Sequence, residues 1–361
     1  MIRPNKVGNL LLKTANLGAS YDLGMVVELF GDVSHVNNDS NTTSPLPTTS
    51  ASVAHSIPFR FTVSRNIGDL MRIPPSLPLL LAALMASACT STDLAHPGGA
   101  MSAAPPSISP SAVGESRPGS GFLKGYLAAD ELPDSLALLA APPAVGSADQ
   151  EADNAAFHAL RALQNSARGE LAREDANLKF PPAEQVFACA LGVPVSEQAT
   201  PHLNMLLRRV LTDAAASTSK AKNNYNRTRP FVAFKESSCT PEEEDFLRKN
   251  GSYPSGHAAA GWAQALVLAE LAPDRSNALL QRGRAYGQSR GICGAHWKSD
   301  IEAGRLVGAA AVARLHTNPT FMAQFNAARD EVKKARTHGA KPARDCTAEA
   351  ASLATSSALA P

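Results

Sequence analysis

Apolar residues recur with helical spacing along most of the chain after residue 147. In the segment 148–172, Ala156, Phe157, Leu160 and Leu163 fall on one face of a helix. The same spacing predicts further helices in 200–225 and 240–251, in the long apolar stretch after Ser255, and in 274–290, 299–319 and 318–335. No alternating run of apolar and polar residues is long enough to predict a strand. The predicted fold class is therefore all-α.

The regions on either side of these helices have a different composition. Residues 1–70 show no sustained periodicity and contain a long polar run, which predicts an unstructured extension. Residues 90–125 are rich in Pro, Gly, Ser and Ala, as in a linker, and residues 336–361 have the Ala- and Ser-rich composition of a flexible tail. The segment 126–335 remains, and its length is typical of one globular domain.

Between the extension and the linker lies MRIPPSLPLLLAALMASAC, from Met71 to Cys89. Its apolar run is too short to span a membrane, which takes about 20 residues, and its basic start favours a secretory signal peptide. ASAC also resembles a lipoprotein signal, which would attach a lipid to Cys89, although Ala86 replaces the usual leucine. Plain cleavage and lipidation both remain open. Because signals stand at the N-terminus, either translation starts at Met71 or residues 1–70 are a genuine extension.

Charge and cysteine content restrict the classes of function. The net charge of +2 is too small for a nucleic-acid-binding surface, so any anion site must be a local cluster. Of the five cysteines, four remain if Cys89 is lipidated, an even number compatible with disulfides in an exported protein. No group of Cys and His residues has the spacing of a zinc site, and we predict no metal and no cofactor.

Three separated segments carry residues suited to chemistry on a phosphate group. They are KNNYNRTRPF with Lys222 and Arg229, YPSGH with Ser255, Gly256 and His257, and SRGICGAHWKSD with Ser289, Arg290, His296 and Asp300. A serine before a helix is usually only an N-cap, and a His/Asp pair at helical spacing is often a structural hydrogen bond. The combination of two histidines, a carboxylate and three cations nevertheless predicts an active site.

The three cationic residues indicate how a phosphate monoester would bind. Lys222, Arg229 and Arg290 would neutralise its two negative charges, and the arginines would donate bidentate hydrogen bonds. Ser255 and the Gly256 N–H would complete the cradle at the positive end of a helix. These five residues form the predicted phosphate-binding site.

The two histidines indicate how the phosphate ester would be cleaved. His296 would attack phosphorus, and Asp300, four residues later on the same helix face, would fix its tautomer. His257 would donate a proton to the leaving alkoxide as general acid. The predicted catalytic residues are therefore His296, His257 and Asp300.

The order and spacing of these motifs resemble the signature of the type 2 phosphatidic acid phosphatase superfamily. The surrounding sequence, including GWAQALVLAE, GQSRGICGAHW and LHTNP, is closer still to the bacterial class A non-specific acid phosphatases, over about residues 134–333. The resemblance implies a helical bundle and a periplasmic phosphomonoesterase that acts on many organic phosphates through a phosphorylated His296. One departure is Ala258, where members of the family often have threonine.

The same resemblance bears on the cysteines. The family core normally has cysteines at the positions of Cys239 and Cys293, and we predict that they form a disulfide because both lie close in sequence to segments that must meet at the site. Cys189 and Cys346 are additional, and would form a second pair although Cys346 lies in the predicted tail.

Three alternatives compete with the phosphatase. The first is a vanadium-dependent haloperoxidase, in which the same residues would hold vanadate. The second is an integral lipid phosphatase, which would need several membrane spans. The third is a lipid-anchored protein that binds phosphate esters without turnover. The expected partners are small-molecule phosphate esters, with membrane attachment through Cys89 in the lipoprotein case. The expected location is the periplasm or the outer membrane. The physiological substrate, transfer of the phosphoryl group to alcohols and assembly as a homo-oligomer stay open.

Overall fold

The computed structural model describes residues 104–355, and within this range it contains helices and no sheet. The nearest approach to a sheet in this range is an isolated antiparallel bridge between Glu115 and Leu123. The predicted all-α fold class is thus confirmed. The predicted extension 1–70 and the signal segment 71–89, with Cys89, lie outside the described residues.

The helices of the described range follow one another with short connections. They are α1 (Pro110–Val113), α2 (Ser135–Leu138), α3 (Ala148–Arg161), α4 (Ala167–Asp175), α5 (Ala188–Leu191), α6 (Pro201–Ser217), α7 (Ser219–Tyr225), α8 (Pro230–Ala233), α9 (Glu244–Arg248), α10 (Gly256–Leu271), α11 (Ser276–Ile292), α12 (Lys298–Leu315), α13 (Pro319–Thr337) and α14 (Cys346–Ala354). Short 3₁₀ helices cover Pro182–Phe187, Pro241–Glu243 and Pro273–Arg275.

Helix α10 lies at the centre of the bundle and packs against α6, α11 and α12. It has almost no polar face, and a helix that is apolar on all sides must be buried on all sides. Facing it, α6 turns Leu203, Leu206, Leu207 and Val210 into the core, as the sequence pattern predicts. Each fully buried leucine side chain stabilises the fold by roughly 1.5–3 kcal/mol. This burial fixes the position of the N-terminus of α10.

Two glycines bring α12 unusually close to α10. A Cβ at Gly304 would lie 2.4 Å from the carbonyl oxygen of Ser255, and one at Gly308 would lie 2.4 Å from that of Ala259. Any larger residue at these positions would force the two helices apart. The glycines therefore set the distance between the start of α12 and the start of α10, where the predicted site residues lie.

Two predicted helices are each broken in two. The segment 148–172 forms α3 and α4, because the chain turns after Arg161 and Ser166 caps α4 by accepting a hydrogen bond from the Gly169 amide. A Cβ at Gly169 would lie 1.9 Å from the Gln164 carbonyl oxygen, so this turn requires glycine. Similarly, the segment 200–225 divides into α6 and α7.

The predicted flexible tail contains an anchored helix. In α14, Glu349 is buried, 2.8 Å from the Arg344 guanidinium and 3.6 Å from that of Arg282 on α11. Cys346 forms a disulfide with Cys189 at the start of this helix. The Ala- and Ser-rich composition predicts a tail because composition carries no information on these long-range ion pairs or on the disulfide.

Both predicted disulfides are present. Cys239 and Cys293, 54 positions apart, join the loop after α8 to the C-terminal end of α11. Cys189 and Cys346 are 157 positions apart and join α5 to α14. A bridge that closes so long a loop is expected to stabilise the fold by restricting the unfolded chain.

Candidate active site

Most of the predicted site residues line one cavity of about 690 Å³. These residues are Lys222, Arg229, Gly256, His257, Arg290 and His296. Ser255 and Asp300 do not line it, and both are fully buried behind its wall. Segments far apart in sequence therefore meet at the start of α10, as the motifs predict.

Ser255 is the N-cap of α10. Its hydroxyl oxygen accepts a hydrogen bond from the Ala258 amide at 3.2 Å, so the structural role expected for a serine before a helix is present. The hydroxyl keeps its own hydrogen to donate. Gly256 follows at the first position of the helix and lines the cavity, where the positive end of the helix favours an anion.

Arg290 is fully buried in the last turn of α11 and faces this cavity. Its three guanidinium nitrogens have no hydrogen-bond partner within residues 104–355. A buried charge without a partner costs several kcal/mol, so buried arginines are normally paired. Burial lowers the pKa of Arg290, and the Glu243 carboxylate opposes that effect. A guanidinium in this state is suited to bidentate binding of an external oxyanion.

Arg229 differs from Arg290 because its donors are occupied by the protein. Its Nε donates to the backbone oxygens of Leu247 and Asn250, at 2.9 and 3.0 Å, and an Nη donates to the Ala295 oxygen at 2.9 Å. Burial and the Arg290 charge lower the pKa of Arg229 to about 10, so it stays cationic at neutral pH. Arg229 therefore contributes a fixed positive charge beside His296.

Lys222 lies in α7 and reaches the loop before α10. Its ammonium donates to the carbonyl oxygens of Gly251 and Pro254, at 3.0 and 2.7 Å. Desolvation and the neighbouring Arg229 charge lower the pKa of Lys222, while Asp300 opposes that effect. Lys222 therefore loses its charge at a lower pH than an ordinary lysine.

Arg229 defines the tautomer of His296. A guanidinium nitrogen of Arg229 lies 3.1 Å from His296 Nε2, and since a guanidinium can only donate, Nε2 must accept. The neutral ring then carries its hydrogen on Nδ1. Burial, followed by the charges of Arg229, Lys222 and Arg290, lowers the pKa of His296 well below its ordinary value. The imidazole is thus neutral, with the lone pair of Nε2 beside the cations.

Asp300 lies behind this imidazole, 3.4 Å from Nδ1, which is too long and poorly directed for a well-formed hydrogen bond. Its Oδ2 accepts the Trp297 amide at 2.9 Å, and its Oδ1 accepts from Arg227 at 2.8 Å. The predicted shared helix face is wrong, because His296 precedes α12 and Asp300 reaches it by folding back over the helix N-terminus. Burial raises the pKa of Asp300, and Arg227 and the Trp297 amide oppose that rise.

Arg227 is a positioning residue that sequence reasoning missed. It holds Asp300 on one side, and on the other it donates to Asp153 and Gln150, at 2.8 and 2.7 Å. Asp153 also accepts the amide and hydroxyl hydrogens of Ser299, at 2.9 and 2.5 Å. One signal was available, because Asp153 lies four residues before Phe157 on the apolar face of α3, where an acidic residue needs a buried partner.

His257 is held by a backbone carbonyl. Its Nε2 lies 2.9 Å from the Ala176 oxygen and must donate to it, which leaves Nδ1 without a hydrogen in the neutral ring. Desolvation and then the Arg290 charge lower the pKa of His257 well below its ordinary value. In the free protein this imidazole is therefore neutral.

A buried ion pair fixes the segment that holds His257. Asp175, next to Ala176, accepts from both terminal nitrogens of Arg282, at 2.5 and 3.1 Å, and from the Ser289 hydroxyl at 2.6 Å. Ser289 belongs to the third predicted segment, but this contact makes it structural. It links the Ala176 carbonyl to α11 one residue before Arg290.

Comparisons with known proteins identify the family of this chain. The sequence profile described as the PAP2 superfamily matches residues 201–321. A non-specific acid phosphatase of Providencia stuartii is 45% identical over 210 residues, which cover 58% of this chain and 85% of that protein. An acid phosphatase of Zymomonas mobilis is 43% identical over 209 residues, covering 58% and 79% of the two chains. A non-specific acid phosphatase of Salmonella typhimurium is 44% identical over 194 residues, covering 53% and 78%.

The chain is a class A-like acid phosphatase of the PAP2 superfamily. The resemblance stated from its motifs is confirmed, and so is its assignment as a phosphoric monoester hydrolase. The relatives favour this assignment over a haloperoxidase and over a binding protein without turnover. Within residues 104–355 of the acid phosphatase, none of the helices combines the length and the apolar character needed to cross a membrane.

Proposed function

We propose that this acid phosphatase hydrolyses a broad range of phosphate monoesters through a phosphohistidine at His296, without a metal ion. The observation that carries the proposal is the guanidinium of Arg290, which is buried, unpaired within the described residues and turned to the same cavity as His296. Lys222, Arg229 and the N-terminus of α10 add positive charge around it. Together they would neutralise the dianion of a phosphate monoester and the charge that develops in the transition state.

In the first step the hydrogen bond from Arg229 to His296 Nε2 breaks, and the freed lone pair of Nε2 attacks phosphorus. The N–P bond forms as the P–O bond to the leaving group breaks, and its electron pair stays on the leaving oxygen. His257, when protonated, gives this oxygen its proton and becomes neutral. The low pKa of His257 in the free site reflects desolvation and neighbouring cations, and a bound dianion opposes the effect of those cations. Binding of the ester would therefore favour the protonated acid.

In the second step a water molecule attacks the phosphorylated His296. The N–P bond breaks, its electron pair returns to Nε2, and His257 takes a proton from the water. Inorganic phosphate leaves, and both histidines regain the protonation states that they had before the first step. Asp300, held by Arg227, would keep the imidazole of His296 oriented and stabilise its positive charge in the intermediate.

Export is part of the proposal. Two disulfides within the described residues fit an oxidising compartment, as is common outside the cytoplasm. The segment Met71–Cys89 would serve as the signal, with either simple cleavage or lipid attachment at Cys89. The enzyme would then act in the periplasm or at the outer membrane.

The purified full-length chain is expected to hydrolyse p-nitrophenyl phosphate and several alkyl phosphates with unchanged rates after treatment with EDTA. The cations of the site supply the charge that a metal would otherwise provide. A metal-dependent phosphatase assayed in parallel controls for chelation. Loss of activity with EDTA, restored by a divalent metal, would contradict the mechanism, and halide oxidation with vanadate and peroxide in place of hydrolysis would contradict the function.

The depressed pKa of Lys222 predicts a loss of kcat/KM toward alkaline pH. As pH rises through this pKa the free site loses a cation, and its affinity for a dianion falls. Lys222→Arg, which stays charged, is expected to have a lower kcat/KM overall but an alkaline limb displaced to higher pH. The pH profile of kcat/KM for both forms measures this. If the alkaline limb lies at the same pH in the wild type and in Lys222→Arg, the loss of kcat/KM is caused by a group other than Lys222.

A further inference from the structure

Residues 115–123, here called the strap, form a compact loop within the region predicted as a linker. The Ser116 amide donates to the Phe122 oxygen at 2.7 Å, and the Gly121 amide donates to Glu115 Oε1 at 3.1 Å. Gly119 and Gly121 have φ angles of 74° and 75°, in the left-handed region that glycine adopts without strain. The strap therefore has a defined conformation, unlike a flexible linker.

The C-terminal end of the strap is fastened to α6. The Thr212 hydroxyl donates to the Leu123 oxygen at 2.8 Å, and Arg209 donates to the oxygens of Lys124 and Gly125, at 3.1 and 2.7 Å. Just beyond, Asp213 accepts the Tyr126 amide at 2.7 Å. Both Leu123 and Tyr126 are buried. These contacts hold the strap in place against the bundle.

The strap supplies part of the wall of the active-site cavity, through Ser116, Arg117 and Phe122. The floor of the cavity is buried, and the side chains of Arg290 and His296 there are 0% and 4% exposed. The rim of the cavity is exposed to solvent and includes Arg117 and Lys179. A volume of about 690 Å³ is far larger than a phosphate group, so most of the cavity is available to the leaving group.

The rim combines apolar and cationic groups. Phe122 and Phe246 both line it, and Phe246 is 65% exposed, which is unusual for so large an apolar side chain. Neither Arg117 nor Lys179 has a side-chain hydrogen bond or ion pair to another described residue, whereas many other cations of the described chain are paired. Glu243 is the carboxylate that lines the cavity, and its charge opposes the lowering by burial of the pKa of the inner arginines.

We propose that this rim is a leaving-group subsite that selects phosphate monoesters with an apolar or aromatic body and a second anionic group. The inference rests on the proposed function, because the phosphate bound at the floor determines where the leaving group lies. The inner cations are needed to neutralise that phosphate. Arg117 and Lys179 are then available for a second anion, such as a carboxylate or a second phosphate.

Two matched esters test the proposal, p-carboxyphenyl phosphate and p-carbamoylphenyl phosphate. They have the same shape and differ in the charge of the para group. For the full-length enzyme we expect kcat/KM to be higher for the carboxylate, with a preference that weakens as salt is added. In Arg117→Ala and in Lys179→Ala the preference is expected to fall by about fivefold, the effect of one charge pair near a solvent-exposed surface.

Two further variants control for other causes. Lys333→Ala removes an exposed charge on α13, away from the cavity, and is expected to keep the preference of the wild type. Arg117→Lys keeps the charge on the strap and is expected to retain much of the preference for the carboxylate ester. Phe122→Ala is expected to lower kcat/KM for both aryl esters equally, and to affect a small alkyl phosphate less.

Equal kcat/KM for the two esters in the wild type, or a preference that survives Arg117→Ala and Lys179→Ala, would overturn the subsite. The dissociation constants of both esters for His296→Ala, measured by calorimetry, provide a readout independent of turnover. Failure to hydrolyse either ester would contradict the proposed function. A charge preference in those dissociation constants would still support the subsite, and its absence would overturn it.

Discussion

His296→Ala is expected to lower kcat for every phosphate ester by at least about 10⁴-fold, as removal of a nucleophile does in other hydrolases. The reason is that His296 Nε2 supplies the attacking lone pair in the proposed first step, whereas His257 in the same cavity is assigned to proton transfer. Rapid quenching under alkaline conditions should trap a phosphohistidine in the wild type and none in this variant. His338→Ala, at an exposed histidine of α13's C-terminal end, should behave as the wild type.

His257→Ala is expected to fail in a different way. Because the proposed mechanism has His257 protonate the leaving oxygen, its loss should be most severe for alkyl phosphates, whose alkoxides are poor leaving groups. Hydrolysis of p-nitrophenyl phosphate should be partly spared. A trapped phosphoenzyme in His296→Ala, or equal losses for both classes of ester in His257→Ala, would refute the roles assigned to the two histidines.

Arg290→Met is expected to lower kcat/KM by about 10²–10³-fold, the usual effect of removing one donor from a transition-state anion site. The same change should leave the free energy of unfolding unchanged or raise it by roughly 0.5–2 kcal/mol, as often happens when an active-site residue is replaced. The physical reason is that the guanidinium is buried and unpaired within the described residues, whereas methionine fills similar space without a charge. Denaturant unfolding and steady-state kinetics measure the two effects.

Arg282→Met is the matched control for this prediction. Arg282 is as deeply buried on the same helix, but it is paired with Asp175. Removing one partner of a buried ion pair leaves the other uncompensated, so this variant should be destabilised by about 3–5 kcal/mol. Inorganic phosphate should raise the melting temperature of the wild type and not that of Arg290→Met. If Arg290→Met unfolds as easily as Arg282→Met, then Arg290 has a structural role.

The sequence by itself determined the helical fold class and the residues that we propose as reacting groups. Helical periodicity is a local property, so the apolar face of α6 and the all-round apolar character of α10 can be read without coordinates. The motifs around His257 and His296 are equally local, and their residue types already indicate chemistry on a phosphate. The pairing of Cys239 with Cys293 is predicted from the resemblance to the family and from the position of each cysteine near a segment that must reach the site.

Only the tertiary structure decided which of those groups are buried and which are paired. Arg229 and Arg290 look equivalent in the sequence, but backbone carbonyls from two other segments, 247–251 and the loop at Ala295, occupy donors of Arg229, while those of Arg290 have no partner among the described residues. Arg227 becomes a positioning residue only because α3 brings Asp153 to it. The Gly-, Ser- and Ala-rich composition of the strap and of α14 predicts a linker and a tail, whereas both segments have a defined structure. In each case the deciding contact joins residues far apart in the chain, and a burial or pairing state that depends on such contacts has no local signature in the sequence.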